Sequence, residues 1–395
     1  MALGVLDLVI ICAYLIFAVA LGFYFSRSNT TTEAFFLGSR GLPGWALGLS
    51  LLSTSISSNS FLAIPAYSYA NDFGLLLKDA VLPIPALAAA LLVVPFFRQE
   101  GWAGRWQGRQ PWGRAAGGGA APWGSAFEFL EDRFGTVCRR YAALCYVCIQ
   151  LVRTASILYL ISIPVTLFTG LSGEVAIVAT GLFVACYSTL GGVRAVVFTD
   201  VVQAVILLGG GIGTVLVVVS RLPDGFATLL ADGEEARKFN LIEGGDQSEF
   251  SFRDRTVWSV MATGLIAHFS SYTAGQDCVQ RYLAASSLYE ARKAVVLCAV
   301  LSIPTWSFFN LVGVALFSFY RHNPVSVSVA RHERPLEPQR RPGRRRPQHR
   351  APNPVSLCNR VAKDFAADMM SLVRRCDAIM LVPCFAGCGD QLTLS

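Results

Sequence analysis

The sequence predicts an all-α protein that crosses a membrane several times, and three observations lead to this fold class. Hydrophobic residues make up 53% of the 395 residues, whereas charged residues make up only 15%. The mean hydropathy is +0.49, which is high for a soluble domain. Apolar runs long enough to cross a bilayer as helices recur along the chain. Because a helix satisfies its own backbone hydrogen bonds inside lipid, these runs predict a polytopic helical membrane protein.

Eight apolar runs are the predicted membrane helices. In chain order they are Val5–Phe25, Trp45–Tyr69, Ala80–Phe97, Tyr141–Phe168, Val175–Thr189, Val201–Val219, Val257–Tyr272 and Ala294–Tyr320. The fifth and seventh runs are short, and the seventh is the least apolar because it carries His268, Ser270 and Ser271. No basic region precedes the long first run, so we expect a membrane helix there rather than a cleaved signal peptide.

The placement of arginine and lysine predicts the orientation of the chain. Basic residues follow the first, third, fifth and seventh runs, whereas the loop of residues 220–255 has mixed charges and many acids. Cytoplasmic loops of membrane proteins are enriched in arginine and lysine. We therefore expect an integral, multi-pass protein, most naturally of the plasma membrane, with its N-terminus outside.

The net charge of +7 comes from these loops and from an arginine-rich tail. The alternative is a nucleic-acid or nuclear-targeting patch, but the apolar composition argues against it, so we expect no nucleic-acid partner. Cys145 and Cys148 lie one helical turn apart without a second ligand pair, which favours buried thiols over a zinc site. The sequence shows no convincing nucleophile–base pair, so we do not expect an enzyme.

The second run is polar in its middle. Its hydroxyl and amide residues are Ser50, Ser53, Thr54, Ser55, Ser57, Ser58, Asn59 and Ser60, and Pro65 follows them. Such residues at mid-bilayer depth are typical of a broken helix, whose freed carbonyls and side-chain oxygens can coordinate a small cation. The alternative is close helix packing through small residues.

Arg153 lies within the fourth run, near Gln150, Thr154 and Ser156. A buried arginine in a membrane must face a polar interior or a carboxylate. A structural ion pair is the favoured interpretation, and direct contact with a substrate is the alternative.

The stretch from Tyr187 to Gln203 joins the fifth and sixth runs through a short Gly-Gly turn that carries Arg194. Asp200 and Gln203 follow where the sixth run begins. Ionisable groups at the end of a membrane helix are costly to place and usually act on an ion or substrate path. The alternative is a positive cytoplasmic loop in which Arg194 fixes the topology.

A second polar cluster ends the seventh run, within residues 270–283. Its members are Gly275, Gln276, Asp277, Gln280 and Arg281. Two interrupted membrane segments, far apart in sequence, are typical of inverted-repeat transporters. The alternative is an ordinary transition from membrane to loop, with Arg281 as an interfacial anchor.

Four motifs resemble those of the sodium/solute symporters, a family that includes the sodium–glucose, sodium–monocarboxylate and sodium–multivitamin cotransporters. Phe35–Arg40 resembles the segment before the family's first core helix, and Phe127–Gly135 resembles the entry to its next long helix. Tyr187–Gln203 resembles the family's most recognisable signature, and Val279–Leu283 resembles the segment after its broken seventh helix. The motifs occur in the family's order, and the resemblance covers residues 5–322.

The resemblance implies a leucine-transporter-type architecture, in which two inverted repeats of five helices surround a site at the bilayer midplane. The first repeat is complete in this chain and the second is partial. The resemblance further implies that the backbone carbonyls of Ser53 and Ile56 bind sodium. It also implies that Asp200 lies on the path by which sodium leaves for the cytoplasm.

The implied function is sodium-coupled symport of a small organic solute across the bilayer by alternating access. Ser60 is expected to face the substrate, and Gln276 and Asp277 to lie in the segment that gates it. Arg153 and Arg194 are expected to be structural. The implied partners are a sodium ion, a small organic solute and lipid, with no organic cofactor and no metal beyond sodium.

Two stretches depart from the family's pattern. Residues 100–124 form a low-complexity insert rich in Gly, Arg and Trp, and residues 323–395 form a tail rich in Arg and Pro. Both compositions predict disorder, which leaves residues 1–99 and 125–322 as a transmembrane domain of about eight helices. Since the family continues with more helices where the tail stands, we hypothesise a frameshift or an erroneous gene prediction. The alternative function is a truncated, non-transporting membrane fragment that acts by interaction or is inactive.

Overall fold

The structure is a computed structural model that describes residues 5–27, 29–56, 58–98, 125–241 and 256–323. These residues form helices and turns, with one isolated bridge between Leu42 and Ala285, so the all-α fold class is confirmed. The helices are α1 (Val5–Ser26), α2 (Thr32–Leu37), α3 (Gly44–Ser55), α4 (Ser58–Ala70), α5 (Gly74–Ala80), α6 (Pro83–Ala88), α7 (Val94–Arg98), α8 (Ala126–Phe134), α9 (Thr136–Thr169), α10 (Gly173–Arg221), α11 (Phe226–Glu235), α12 (Val257–Ala274), α13 (Gln276–Ala284) and α14 (Leu288–His322). A 3-10 turn, Gly38–Arg40, follows α2, and a π-helical turn, Ala89–Val93, joins α6 to α7.

Each of the eight predicted runs corresponds to helix in the structure. The second run is divided between α3 and α4, the third extends over α5 to α7, and the fifth and sixth lie together in α10. Five stretches are apolar and long enough to cross a bilayer, namely Val9–Ser26, Gly74–Arg98, Thr136–Thr166, Gly173–Arg221 and Leu288–His322. Length and composition therefore support a membrane protein.

Both predicted helix breaks are present. α3 ends at Ser55, and Ile56 has a non-helical backbone (φ −99°, ψ 91°) before α4 begins. α12 ends at Ala274, and Gly275 is extended (φ −64°, ψ 119°) before α13 begins. The α3–α4 and α12–α13 pairs are therefore two discontinuous segments, the kind of element that frees backbone carbonyls inside a membrane protein.

The turn predicted between the fifth and sixth runs is shorter than expected. α10 stays helical through this region except at Gly192, whose backbone (φ 60°, ψ −167°) is essentially restricted to glycine. A Cβ on Gly192 would also lie 2.8 Å from the carbonyl oxygen of Phe35. One glycine therefore makes the turn and divides α10 into two limbs, residues 173–191 and 193–221.

The loop of residues 220–255, predicted only as an outside loop, contains the helix α11. α11 buries Leu229 completely, and Asp232 on the same helix is hydrogen-bonded to Ser318 and His322 of α14. These contacts fix α11 to the last described turns of α14. The predicted insert of residues 100–124 and residues 324–395 of the predicted tail lie outside the described residues.

α3 is packed between α14 and α10, and α14 also packs along α4. Ser68 of α4 donates a hydrogen bond to the Asn310 side chain of α14 at 2.5 Å. One turn further on, a Cβ on Gly313 would lie 2.4 Å from the carbonyl oxygen of Pro65, so this approach requires glycine. Phe309 is completely buried at the same contact. The break between α3 and α4 is therefore held inside the packed core.

α1 packs along α10 at one side of the bundle. The contact is close at Gly22, where a Cβ would lie 2.8 Å from the carbonyl oxygen of Tyr187. Towards the other end of α1, the Gln203 amide donates to the Tyr14 hydroxyl at 2.9 Å. Large apolar side chains such as Ile16 are exposed on the rest of α1. This face of the helix suits contact with lipid.

Candidate functional site

The break between α3 and α4 brings together the two residues that are predicted to bind sodium. The Ile56 N–H donates to the carbonyls of Leu52 and Ser53, at 2.9 and 3.0 Å, and so ends α3. Ser53 and Ile56 are both buried. A carbonyl oxygen has two lone pairs, so the Ser53 carbonyl keeps capacity for a second partner. Ser60 lies in the first turn of α4, but its side chain is outside the described residues, so its substrate contact stays a prediction.

Asp200 is fully buried on the second limb of α10, about two turns beyond Gly192. Its Oδ2 atom accepts a hydrogen bond from the Ser50 hydroxyl of α3 and lies 3.1 Å from Nη2 of Arg281 on α13. Its Oδ1 atom has no hydrogen-bond partner among the described residues. The acid predicted at a helix end is therefore placed inside the bundle, between α3 and α13.

Arg281 joins α3, α10 and α13. Its Nε donates to the Ser50 hydroxyl at 2.8 Å, and its Nη2 donates to the Thr54 hydroxyl at 2.6 Å as well as to Asp200. Its Nη1 donates to the Asp277 carbonyl at 3.0 Å. The rigid fork of a guanidinium, with five donors, suits several partners at once. Because the Arg281 side chain is only 3% exposed, its interpretation as an interfacial anchor is wrong.

Gln276 and Asp277 begin α13, directly after the break at Gly275. Gln276 is buried, and its Oε1 accepts a hydrogen bond from the N–H of Ala126, the first residue of α8, at 3.0 Å. Asp277 is partly buried and offers its carbonyl to Arg281. These two residues therefore connect the break to α8 and to the buried ion pair, while a gating role stays a prediction.

Arg194 fixes the segment before α3 against the turn of α10. Its Nε and Nη2 donate to the Gly38 carbonyl at 3.1 and 2.9 Å. Gly38 caps α2 in the left-handed conformation, with φ 58°. On the other side of the turn, Asn29 donates to the Gly191 carbonyl at 2.9 Å. Arg194 thus contacts backbone beside the turn, and its structural role and its influence on membrane topology stay predictions.

Arg153 lies on α9 beside the break between α3 and α4. It is exposed, and its Nη2 donates to the Thr54 carbonyl at 3.4 Å, two residues before Ile56. No carboxylate in the described ranges lies within ion-pair distance of it. The structure therefore gives Arg153 a carbonyl partner in place of the predicted ion pair.

At the end of the bundle where α10 turns, side chains donate hydrogen bonds to the backbone carbonyls of other elements. Gln280 donates to the Phe36 carbonyl at 2.6 Å. Arg98 donates to the carbonyls of Tyr282 and Ala285 at 3.1 and 2.9 Å. These bonds join α2, α7 and α13 beneath the Asp200–Arg281 pair.

A second pair of polar side chains lies in contact between α5 and α12, and the sequence alone did not predict it. His268 Nε2 lies 3.2 Å from Asp79 Oδ1, and both side chains are largely buried. The sequence singles out His268 only as a polar residue in a short run, and Asp79 sits near the start of an apolar one. An acid beside the third apolar run and a histidine inside the seventh are the signal that could have linked them.

The site offers oxygen atoms to a cation. In the described part of the chain, no group of three or more His, Cys, Asp or Glu side chains is arranged to hold a metal ion. Around the break the oxygen ligands are carbonyls and the hydroxyls of Ser50 and Thr54, which also accept hydrogen bonds from Arg281. Unwound backbone carbonyls of this kind coordinate sodium in transporters built from broken helices.

The profile of the sodium:solute symporter family matches residues 35–332. This range contains α3 to α14 and therefore every candidate site residue described above.

Relatives of this chain are sodium-coupled transporters. The sodium/sialic acid symporter SiaT of Proteus mirabilis is 30% identical over 325 residues, which cover 81% of this chain and 60% of the relative. The sodium/sialic acid symporter NanT of Aliivibrio fischeri is 29% identical, with coverage of 81% and 59%. The sodium/glucose cotransporter of Vibrio parahaemolyticus is 26% identical, with coverage of 80% and 56%. The chain spans about three fifths of the length of these relatives.

A solved structure has a similar fold. It is described as a substrate-bound outward-open state of a Na+-coupled sialic acid symporter, and it matches with a TM-score of 0.77 and 25% identity. The match covers 99% of this chain and 71% of that one.

Proposed function

Because this chain belongs to the sodium:solute symporter family, we propose that it acts in sodium-coupled symport of a small organic solute by alternating access. The observation that carries the proposal is the break between α3 and α4, which Thr54 connects to the buried Asp200–Arg281 pair. A broken helix supplies carbonyls for a sodium ion. The buried carboxylate of Asp200 supplies a second contact for the sodium ion as it leaves for the cytoplasm.

In this proposal sodium binds at the carbonyls of Ser53 and Ile56. The bound ion stabilises one arrangement of α3 relative to α4, and it shifts the protein towards the state that has this arrangement. A membrane potential of about 100 mV adds about 2.3 kcal/mol for each sodium ion that moves inward. This energy, together with the sodium gradient, drives the solute in the same direction.

Asp200 is the proposed contact for sodium on its way to the cytoplasm. With the N-terminus outside, in the plasma membrane, the end at which α10 turns faces the cytoplasm. The hydrogen bonds of Gln280 and Arg98 at that end are proposed to keep it closed. The arrangement supports a state that is accessible from outside, and a related symporter structure is described as outward-open.

The proposed solute is a small organic anion. Arg153 lies beside the break and has a carbonyl, rather than a carboxylate, as its partner in the described residues. A guanidinium binds a carboxylate through two strong hydrogen bonds. Two relatives are named for sialic acid, a sugar acid with one carboxylate. Ser60 is proposed to face the solute, and Gln276 and Asp277 to gate it.

A second candidate function is a truncated, non-transporting membrane fragment that acts by interaction or is inactive. The observation that favours it is the span of about three fifths of the relatives' length. In this alternative the break between α3 and α4 can still bind sodium, but binding is not coupled to movement of a solute.

Uptake by the purified chain in proteoliposomes separates the two functions. With an inward sodium gradient, we expect radiolabelled N-acetylneuraminic acid to accumulate above the level seen when choline replaces sodium. Liposomes without protein give the background. If sodium stabilises the chain but the proteoliposomes accumulate neither this acid nor glucose nor lactate, the result favours the non-transporting fragment.

A further inference from the structure

The pairing of Arg281 with Asp200 gives the predicted exit path a built-in positive charge. Asp200 is completely buried and Arg281 nearly so. An isolated buried carboxylate is strongly disfavoured, and so is an isolated guanidinium, so each charge depends on the other. In the structure the guanidinium therefore stands where a cation attracted to Asp200 would stand.

The same guanidinium reaches to the predicted sodium site. Its Nη2 is bonded to the hydroxyl of Thr54, and Thr54 directly follows Ser53 in the last turn of α3. Its Nε is bonded to the Ser50 hydroxyl, which also donates to Asp200. Ser50 and Thr54 thus offer the guanidinium the hydroxyl oxygens that a cation passing from the break to Asp200 would use.

One oxygen of the Asp200 carboxylate keeps spare acceptor capacity. Oδ2 holds both contacts of the carboxylate, and Oδ1 has no hydrogen-bond partner in the described part of the chain. A carboxylate oxygen accepts up to two bonds. A cation that reaches this buried atom can therefore bind Oδ1 and then replace the guanidinium at Oδ2.

Arg281 also links the replacement of its guanidinium by a cation to the packing of α13. It lies on α13, just after the break at Gly275, and its partners Ser50 and Asp200 lie on α3 and α10. Gln280, the preceding residue, is bonded to the Phe36 carbonyl at the end where α10 turns. Release of Arg281 from Asp200 removes one of the ties that hold α13 against the rest of the bundle.

We propose that Arg281 is a tethered counter-cation, which occupies Asp200 until an outgoing sodium ion displaces it and thereby loosens α13 from α3 and α10. This inference rests on the proposed function and names the residue that couples sodium exit to opening. Sodium and the guanidinium of Arg281 compete for Asp200, because they cannot both neutralise the same buried carboxylate.

Sodium titration of thermal stability tests the competition in the full chain, purified in lipid nanodiscs. Arg281→Gln frees Asp200, so we expect the sodium concentration at half-maximal stabilisation to fall by about fivefold or more, the usual range of coupling between two sites. In the double variant Asp200→Asn with Arg281→Gln, the fall should disappear. Arg194→Gln is the matched control, because it removes an arginine at the same end that is bonded to a carbonyl.

Three results would overturn the inference. An Arg281→Gln chain with the wild-type half-maximal concentration shows that the pair is only structural, and the proposed function then survives. A double variant that keeps the fall shows that Asp200 is not the shared partner. A wild-type chain that sodium does not stabilise overturns the proposed function and the inference together.

Arg281→Lys provides the test if Arg281→Gln does not fold. A lysine keeps the charge but cannot bond Ser50, Thr54 and Asp200 with a planar fork. We expect a smaller fall in the half-maximal sodium concentration, in the same direction. An unchanged concentration in this variant contradicts the inference.

Discussion

Gly313 of α14 and Pro65 of α4 approach so closely that a Cβ on the glycine would lie 2.4 Å from the proline carbonyl oxygen. The contact holds α4 against α14 just beyond the break that carries the predicted sodium site. Replacement of Gly313 therefore tests whether the geometry of the break depends on this packing.

Gly313→Ala is expected to lower the free energy of unfolding by about 1 to 3 kcal/mol, because overpacking a close contact forces backbone to shift. Gly213→Ala is the control, since a Cβ there meets nothing within 4 Å. Alanine in an open helical position should leave stability unchanged or raise it by about 0.5 to 1 kcal/mol. Unfolding by titration with a denaturing detergent measures both. Equal changes in the free energy of unfolding for the two variants would contradict a close contact between Gly313 and Pro65.

Loss of Arg281 alone should be far more damaging than loss of an exposed ion-pair partner. Arg281→Met leaves Asp200 buried without its cation, which costs about 3 to 5 kcal/mol. Glu33→Gln removes the partner of Arg40 in an exposed pair, which costs at most about 1 kcal/mol. The double variant with Asp200→Asn should lose less than the sum of the single losses, since neither buried charge remains. Additive losses in detergent unfolding would show that the pair is not coupled.

Gly192→Ala should destabilise the protein more than Gly170→Ala. Both glycines have positive φ, 60° and 72°, but only Gly192 is crowded, with its Cβ position 2.8 Å from the Phe35 carbonyl oxygen. Gly170 meets nothing within 4 Å, so alanine there adds only backbone strain of about 1 to 2 kcal/mol. Thermal unfolding of the two variants measures the difference. A smaller effect at Gly192 would mean that the turn does not need this conformation.

Arg153→Gln should weaken the transport of an anionic solute without abolishing sodium binding. Loss of a hydrogen bond to a charged group costs about 1.5 to 3 kcal/mol, which corresponds to a rise in KM of about tenfold or more. Arg153→Lys keeps the charge and should retain part of the affinity. Sodium-driven uptake of N-acetylneuraminic acid at varied concentration gives KM, and the sodium-dependent thermal shift serves as the control. An unchanged KM would remove Arg153 from the substrate site.

The apolar runs and the two breaks could be predicted because their signals are local. A hydroxyl-rich stretch around Ile56 and a glycine beside polar residues at Gly275 interrupt otherwise apolar sequence. The sequence also singles out Asp200, because an acid at a membrane helix is costly to place without a partner. Each of these inferences needs only a few neighbouring residues.

The partner of Asp200 could not be predicted from local sequence. Asp200 and Arg281 are separated by 81 residues, and only the packing of α3, α10 and α13 brings them together. The helix α11 was missed for a different reason. It lies in a polar loop of mixed charge, and its burial of Leu229 depends on contact with α14, which local sequence does not reveal.

The attachment of α1 has a practical consequence for spectroscopy. α1 packs along α10, through Gly22 and the Tyr14–Gln203 bond, while its opposite face is exposed apolar surface. A fluorophore or spin label on that face is expected to report on the position of α10 without touching α3 or α13. α1 is therefore a natural reference point from which the proposed loosening of α13 can be measured.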